Sequence, residues 1–148
     1  MACKDMNTVI DDQPVYVRQW PATVATENLS MALQICGADF GAFVEGEYTF
    51  DDIIRVMYSA DSAKLISMLK KFVVAARIDG QEIQEATFNP TYSGDLMKIF
   101  QIFSFVCEVN YKDFFMQGRE LNNARKADLQ KAQAQQQVEA EAKKNMIP

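Results

Sequence analysis

Two pairs of adjacent carboxylates are the side chains whose type and spacing best suit chemistry in this sequence. Asp11-Asp12 and Asp51-Asp52 could share general acid–base work. The second pair follows Thr49 at nearly the spacing of a capping box, and carboxylates at that place stabilise the positive end of a helix. We therefore interpret both pairs as solvated or capping residues, not as catalytic ones.

Nucleophilic and metal-dependent catalysis lack their usual side chains. The chain contains no histidine, which excludes Ser-His-Asp and Cys-His arrangements and imidazole metal ligands. The cysteines, Cys3, Cys36 and Cys107, are far apart and form no CxxC pair. No glycine-rich loop of the phosphate-binding types is present either. The sequence predicts a protein that is not an enzyme and has no catalytic residues, no cofactor and no metal.

Composition limits the kinds of partner. The 148 residues carry a net charge of −5, and 49% of them are hydrophobic, which is enough for a packed core. An acidic chain gains no counterion-release energy at a phosphate backbone and is repelled by anionic lipid. No apolar run reaches the roughly 18 residues that a membrane span requires. We therefore predict neither nucleic acid nor membrane as a partner.

Hydrophobic periodicity predicts a mainly α fold (α+β): a helical domain with a small two- or three-stranded antiparallel sheet and a solvated C-terminal helix or tail. Val15–Trp20 is rich in β-branched and aromatic residues and lies between two prolines, as expected of a strand. Asp79-Gly80 is typical of a type I′ turn, which predicts a hairpin of residues 73–78 and 81–84.

Several stretches have apolar residues at helical spacing. The first, residues 22–44, is expected to kink or break near Gly37 and Gly41. Residues 88–92 are predicted to be a loop, after which Ser93 caps the longest apolar helix. The side chains expected to be buried are Leu29, Leu33, Cys36, Phe40, Phe43, Ile53, Val56, Met57, Ala60, Leu65, Met68, Leu69, Phe72, Val73, Leu96, Ile99, Phe100, Phe103, Val106, Cys107 and Phe114.

Composition changes after Met116 and divides the chain into three regions. These are a flexible N-terminus (1–14), a helical core domain with a small β element (15–116) and a polar Ala/Gln-rich helix or disordered tail (117–148). Residues 1–116 carry nine basic and sixteen acidic side chains, whereas the tail carries six basic and four acidic ones. Because the tail can bury little surface, it is either a solvated helix that frays in isolation or a helix that orders on a partner.

Four side chains are candidates for binding a partner: Trp20, Leu121, Leu129 and Val138. The last three are the large aliphatic residues of the tail before its final few positions. Trp20 is either an interface anchor, since aromatic residues dominate interface hot spots, or part of the core. Asn110, within the apolar stripe of the long helix, is either a specificity contact or a hydrogen-bonded amide.

Four short motifs occur in order between residues 15 and 116, two of them next to predicted helices. They are Tyr16-Val-Arg-Gln-Trp-Pro-Ala22, Arg77-Ile-Asp-Gly80, Phe88-Asn-Pro-Thr-Tyr-Ser-Gly94 and Asn110-Tyr-Lys-Asp-Phe-Phe115. With these motifs in this order and spacing, the chain resembles the tail assembly chaperones of long-tailed bacteriophages.

The resemblance implies a protein that binds the tape measure protein, keeps it soluble and helps to recruit tail tube proteins around it. Such a protein would act in the host cell cytoplasm and be absent from the mature virion. The resemblance also implies weak self-association and a frameshifted longer form of the chain. Lys143-Lys144-Asn145 fits either an A-rich slippery sequence or an ordinary charged C-terminus.

Two other functions fit a small protein without catalytic residues. One is a structural virion component, such as a head–tail connector or a tail completion protein, which would be present in virions at a fixed copy number. The other is a small inhibitor that binds a host enzyme in a tight stoichiometric complex.

Overall fold

The computed structural model describes residues 4–145, and it has the predicted mainly α fold with a small sheet. The chain divides into two compact units, with the boundary after Lys112. A single 3-10 turn, Gly37–Asp39, interrupts the first predicted helix at the expected glycine. The elements in chain order are β1 (Asp5–Ile10), β2 (Gln13–Arg18), α1 (Ala22–Cys36), α2 (Phe40–Glu45), α3 (Phe50–Ser59), α4 (Ser62–Val73), β3 (Ala76–Ile78), β4 (Gln81–Glu82), α5 (Glu85–Tyr92) and α6 (Leu96–Asn145).

The strands form one antiparallel sheet in the order β1-β2-β3-β4. Strand β2 pairs with β3 so that Val15 lies opposite Ile78, which confirms that the predicted strand extends the predicted hairpin. Both hairpin strands are shorter than predicted, because α4 continues to Val73 and β4 ends at Glu82. Asp79 and Gly80 have φ angles of 52° and 76°. Both angles lie in the left-handed region that a type I′ turn requires, and aspartate and glycine reach it more readily than other residues.

Strand β1 is the part of the sheet that sequence analysis misses, because it assigns residues 1–14 to a flexible N-terminus. Residues 1–3 lie outside the described residues, but β1 pairs with β2 along its whole length. The turn between them is formed by Asp11 and Asp12, with φ of 50° and 62°. Aspartate tolerates this region, yet an Asp-Asp pair lacks the glycine by which such turns are recognised in a sequence. The first carboxylate pair therefore forms a hairpin turn.

Phenylalanine dominates the core of the first unit. The ring centroid of Phe103 in α6 lies 4.9 Å from that of Phe72 in α4 and 5.4 Å from that of Phe43 in α2. Phe40 lies 6.4 Å from the same ring. All four side chains are at most 1% exposed, as predicted. Tilted and edge-to-face contacts of this kind stabilise the core beyond the burial of apolar area.

Helix α1 buries Cys36 as predicted, but its other buried residues differ from the predicted ones. Its buried residues are Asn28, Ala32 and Cys36, spaced by four, whereas Leu29 is half-buried and Leu33 is 44% exposed. Small side chains allow close packing between helices, and α1 lies close to α4. The prediction followed the largest apolar side chains, but close helix packing selected the smaller ones.

Helix α5 replaces the loop predicted for residues 88–92. Phe88 and Tyr92 lie one turn apart, are at most 4% exposed and have ring centroids 5.1 Å apart. Burial of this pair offsets the hydrogen bond that Pro90 cannot donate within the helix. Ser93, predicted to cap the longest helix, instead follows α5, and its hydroxyl donates to the carbonyl oxygen of Asn89 at 2.7 Å.

Helix α6 is buried only in its first part. Its last buried side chain is that of Tyr111, and the described residues after it are half-buried or exposed. The second unit, described from Asp113 to Asn145, is the predicted C-terminal helix with a solvated surface. Phe114, predicted to be in the core, is 58% exposed.

Candidate functional site

A groove lined almost entirely by apolar side chains runs between α3, α4 and the first turn of α6. It lies within the first unit, is open to solvent and has a volume of about 450 Å³. Eleven of its twelve lining residues are apolar, and the polar one is Ser62. The apolar residues of this groove, called the apolar groove below, are Phe50, Ile53, Ile54, Met57, Leu65, Ile66, Leu69, Leu96, Met97, Ile99 and Phe100.

Helix α3 forms one wall because its apolar residues repeat at the spacing of one helix face. Its four lining residues lie at i, i+3, i+4 and i+7 from Phe50. The helix begins with the predicted capping box: the Thr49 side chain accepts from the backbone N–H of Asp52 at 3.2 Å, and the Asp52 carboxylate accepts from that of Thr49 at 2.8 Å. The cap sets where α3 starts, so it also sets which residues face the groove.

The hydrogen bonds of this cap favour the ionised form of the Asp52 carboxyl group. The hydrogen bond from the Thr49 backbone, together with bonds from the Thr49 hydroxyl and from Arg55, lowers the pKa of Asp52. Arg55 also pairs with Asp39 at 3.1 Å. The second carboxylate pair of the sequence is thus divided between a capping residue, Asp52, and an exposed residue, Asp51.

Helix α4 forms the opposite wall with the same spacing. Its lining residues are Ser62 and those at i+3, i+4 and i+7 from it. Asp61 begins the helix by accepting from the backbone N–H of Lys64 at 3.0 Å. Leu65 and Leu69 are buried and form the floor, whereas Ile66 is exposed at the rim.

The rim of the groove leaves large apolar side chains in water. Six lining residues are at least 40% exposed: Phe50, Ile54, Met57, Ile66, Leu96 and Met97. Single exposed apolar residues are normal on protein surfaces, but a contiguous group around a concavity marks an interaction site. The apolar groove is therefore the strongest candidate for a partner-binding site in the first unit.

Two of these rim residues lie in an environment that the sequence does not predict, and the sequence does not single out the other four. Met57 and Leu96 were expected in buried stripes, yet they are 47% and 64% exposed. The available signal is the width of the stripe in α3, where Ile53-Ile54 and Val56-Met57 are adjacent apolar pairs. A stripe of that width is more than one packing face needs, and the surplus forms the rim.

Trp20 is integrated into the first unit and is half-buried. Its ring centroid lies 5.0 Å from that of Phe72, edge-on, and 6.3 Å from that of Tyr111. Its backbone N–H donates to Oδ1 of Asn110 at 2.8 Å, and Nδ2 of Asn110 donates to the carbonyl oxygen of Val106 at 3.0 Å. Asn110 is therefore a hydrogen-bonded amide that ties the end of β2 to α6.

The three tail candidates are exposed in the second unit. Leu121, Leu129 and Val138 are 53%, 62% and 65% exposed. With about 100° of rotation per helical residue, Leu129 lies roughly 80° from Leu121 around the axis, and Val138 roughly 180° from Leu129. These side chains do not form one stripe, so a partner would meet them singly. Their role in binding stays a prediction.

Nucleophilic chemistry is not available to the two buried cysteines. Burial, together with Asp39, raises the pKa of Cys36 to about 12, and burial also raises that of Cys107. Both thiols are therefore protonated at neutral pH, and the thiolate is the reactive form. Among residues 4–145, no three cysteine and carboxylate side chains come together as a metal site.

None of the helices between residues 4 and 145 is both long enough and apolar enough to cross a bilayer.

Comparisons with known proteins identify the family of the chain. Searches of curated proteins and of solved structures give no match. A family model described as phage tail assembly chaperone protein, TAC, matches residues 11–124. That range contains all the residues that line the apolar groove. The chain belongs to the phage tail assembly chaperone family.

Proposed function

We propose that this chaperone binds the tape measure protein and keeps it soluble until tail tube subunits assemble around it. The observation that carries the proposal is the apolar groove, whose six rim side chains remain at least 40% exposed. A long helical client with apolar faces aggregates in water unless those faces are covered, and a reversible apolar surface can cover them. This role requires no covalent chemistry, which agrees with the chaperone family and with the buried, protonated thiols.

The proposal is tested by producing the tape measure protein of the same phage with and without this chaperone. We expect the tape measure protein to sediment as aggregate alone and to remain in the supernatant as a complex when the chaperone is present. Size-exclusion chromatography with light scattering gives the stoichiometry of that complex. Equal sedimentation in both conditions, with no complex at equimolar concentration, would contradict tape measure binding.

Recruitment of tail tube subunits is a separate part of the proposal. We expect tail tube protein to co-elute with the chaperone–tape measure complex and not to sediment with the aggregated tape measure protein alone. If the tube protein binds both equally, the chaperone maintains solubility without recruiting the tube.

The proposed place of action is the host cytoplasm during assembly, with release before the virion matures. Quantitative mass spectrometry of infected cells and of purified virions tests this. The chaperone should be abundant in the cells and absent from the virions. A fixed copy number per virion would instead indicate a structural tail component.

A further inference from the structure

We propose that the apolar groove binds an amphipathic helix whose apolar face is flanked by basic residues, supplied by the tape measure protein. This inference rests on the proposed function and adds to it the site and the chemistry of the recognised segment. The groove has two helical walls with matching patterns, Phe50 to Met57 on α3 and Ser62 to Leu69 on α4. A third helix laid between two such walls buries its side chains at i, i+3, i+4 and i+7.

The polarity of the lining favours a helix face over a small molecule. Small-molecule sites combine apolar walls with several convergent polar groups that fix the orientation of the ligand. Here Ser62 is the single polar residue among the twelve that line the groove. The groove is also open, since Phe50 and Leu96 at its rim are 61% and 64% exposed. It suits a continuous apolar surface that extends beyond its ends.

The charges beside the groove select a basic partner. Asp51, Asp61 and Asp95 are exposed, and each is the immediate chain neighbour of a lining residue. Cations also neighbour lining residues, but each has contacts of its own. Arg55, next to Ile54, pairs with Asp39 and Asp52, and Lys98, next to Met97, bonds to Gln13. Lys64, next to Leu65, lines a different depression with residues of α1.

At the Ile66 end, the groove meets a second depression that contains Lys70, Lys71 and Glu85. Lys70 pairs with Glu85 at 2.8 Å, so Lys71 is the remaining cation at that end. Three carboxylates against one such lysine leave the surroundings acidic. This charge favours a helix with lysine or arginine beside its apolar face.

A second copy of the chain is a poorer occupant. In a two-fold dimer the same patch meets itself, and two concave grooves facing each other would enclose a void instead of packing. Such a dimer would also bring Asp51, Asp61 and Asp95 close to their own copies, where like charges repel. Residues 4–112 as a whole carry nine basic and fifteen acidic side chains, so two copies of the first unit carry net charge of the same sign.

Substitution of the rim tests the site. Ile54→Lys places a charge on the groove wall, and Leu33→Lys is the matched control, because Leu33 lies on α1 outside the groove with similar exposure, 44% against 46%. We expect Ile54→Lys to weaken binding of the full tape measure protein at least ten-fold and Leu33→Lys less than two-fold, by biolayer interferometry with the tape measure protein immobilised at low density so that it cannot aggregate. Leu96→Lys at the start of α6 is a second groove variant, and circular dichroism verifies folding of all three.

Removal of charge tests the chemistry of the partner. The triple change Asp51→Asn, Asp61→Ser and Asp95→Asn keeps a capping oxygen at residue 61 and removes three negative charges. We expect it to weaken binding several-fold and to reduce the salt dependence of the dissociation constant. The matched control is the triple change Asp11→Asn, Asp12→Asn and Glu27→Gln, which removes the same charge from exposed positions outside the groove and should leave both quantities unchanged.

Photo-crosslinking identifies the occupant. With p-benzoylphenylalanine in place of Phe50, we expect crosslinks to tape measure segments that have apolar residues at helical spacing and flanking lysine or arginine. Crosslinks to another copy of this chain, or to acidic or non-amphipathic segments, would overturn the inference. If wild-type chaperone binds the tape measure protein and the groove variants bind equally well, the inference is wrong and the proposed function stands. If the wild type does not bind, both are wrong.

Discussion

The two parts of α6 differ in what stabilises a helix. In residues 96–112 ten side chains are buried, from Ile99 to Tyr111. In residues 113–145 none is buried, and alanine, glutamine, glutamate, lysine and arginine predominate. The first part is rich in aromatic and β-branched residues of lower helix propensity and is stabilised by tertiary burial. The second part depends on intrinsic propensity, which alone gives helices of marginal stability.

Buried and exposed side chains of α6 therefore serve different purposes, the first the stability of the fold and the second the binding of a partner. Where α6 is buried, its apolar side chains contribute to the free energy of unfolding and most are not free to meet a partner. At its first turn, Leu96 and Met97 are exposed in the apolar groove, so one short element serves both the core and the groove. We therefore expect the second unit, but not the first, to lose residues without loss of the fold.

The largest difference in the free energy of unfolding is expected between alanine substitutions of two phenylalanines on α6. Phe103→Ala removes a ring packed against Phe40, Phe43 and Phe72, and we expect it to lower the free energy of unfolding by about 3–5 kcal/mol. Phe114→Ala, at a position 58% exposed, should change it by less than about 0.5 kcal/mol. Urea denaturation followed by tryptophan fluorescence measures both. Equal effects would show that burial does not divide α6 as described.

Two asparagines, one in each part of α6, allow the same comparison for the loss of a hydrogen bond. Asn110→Ala leaves the backbone N–H of Trp20 without its acceptor at a half-buried position, and we expect a loss of about 2 kcal/mol in the free energy of unfolding. Asn122→Ala, in the exposed part of α6, should be neutral or slightly stabilising because alanine has the higher helix propensity. Urea titration of both variants provides the test, and a neutral Asn110→Ala would contradict the structural role of this amide.

A smaller loss of unfolding free energy is expected when the cap at the start of α3 is removed. Thr49→Ala removes the side-chain acceptor of the capping box, which should lower the free energy of unfolding by about 1 kcal/mol. Thr26→Ala is the control, since the Thr26 hydroxyl bonds only within α1, to the carbonyl oxygen of Ala22. Thermal and urea unfolding should rank Thr49→Ala below the control. The reverse order would show that the cap does not define α3.

The same cap predicts a pH dependence. Its hydrogen bonds lower the pKa of Asp52 in the folded protein. A carboxylate with a lowered folded pKa contributes stability that is present above its unfolded pKa of about 4 and is lost as the pH falls through the folded value. The stability difference between wild type and Asp52→Asn should therefore be largest near neutral pH and shrink in acid. Urea titrations across that range check the sign, and a difference that grows in acid would refute it.

The smallest effect on stability is expected from the largest deletion. A chain ending at Gln117 loses the exposed helix but none of the buried side chains. Its melting temperature should stay within about 2 °C of the full chain, since each kcal/mol corresponds to several degrees in a domain of this size. Helical ellipticity should fall, and we also expect weaker client binding. A large drop in melting temperature would show that the removed residues stabilise the first unit.

The sequence alone predicts elements whose signals are local. Apolar residues at i, i+3 and i+4 predict the buried face of α4, and Thr49 with Asp52 predicts the start of α3. Asp79-Gly80 predicts the turn between β3 and β4. These depend on side chains within a few positions along the chain, so no knowledge of distant neighbours is needed.

Only the tertiary structure decides which apolar faces are covered. Periodicity identifies an apolar stripe but not the neighbour that packs against it, so Met57 and Leu96 could not be distinguished from core residues. The same limit explains why Ala32 rather than Leu33 is buried and why Phe88 and Tyr92 hold a helix despite Pro90. The apolar groove exists because α6 meets α3 and α4, two helices that are consecutive in sequence, and no further helix of residues 4–145 covers them. That arrangement is a property of packing and not of any one segment.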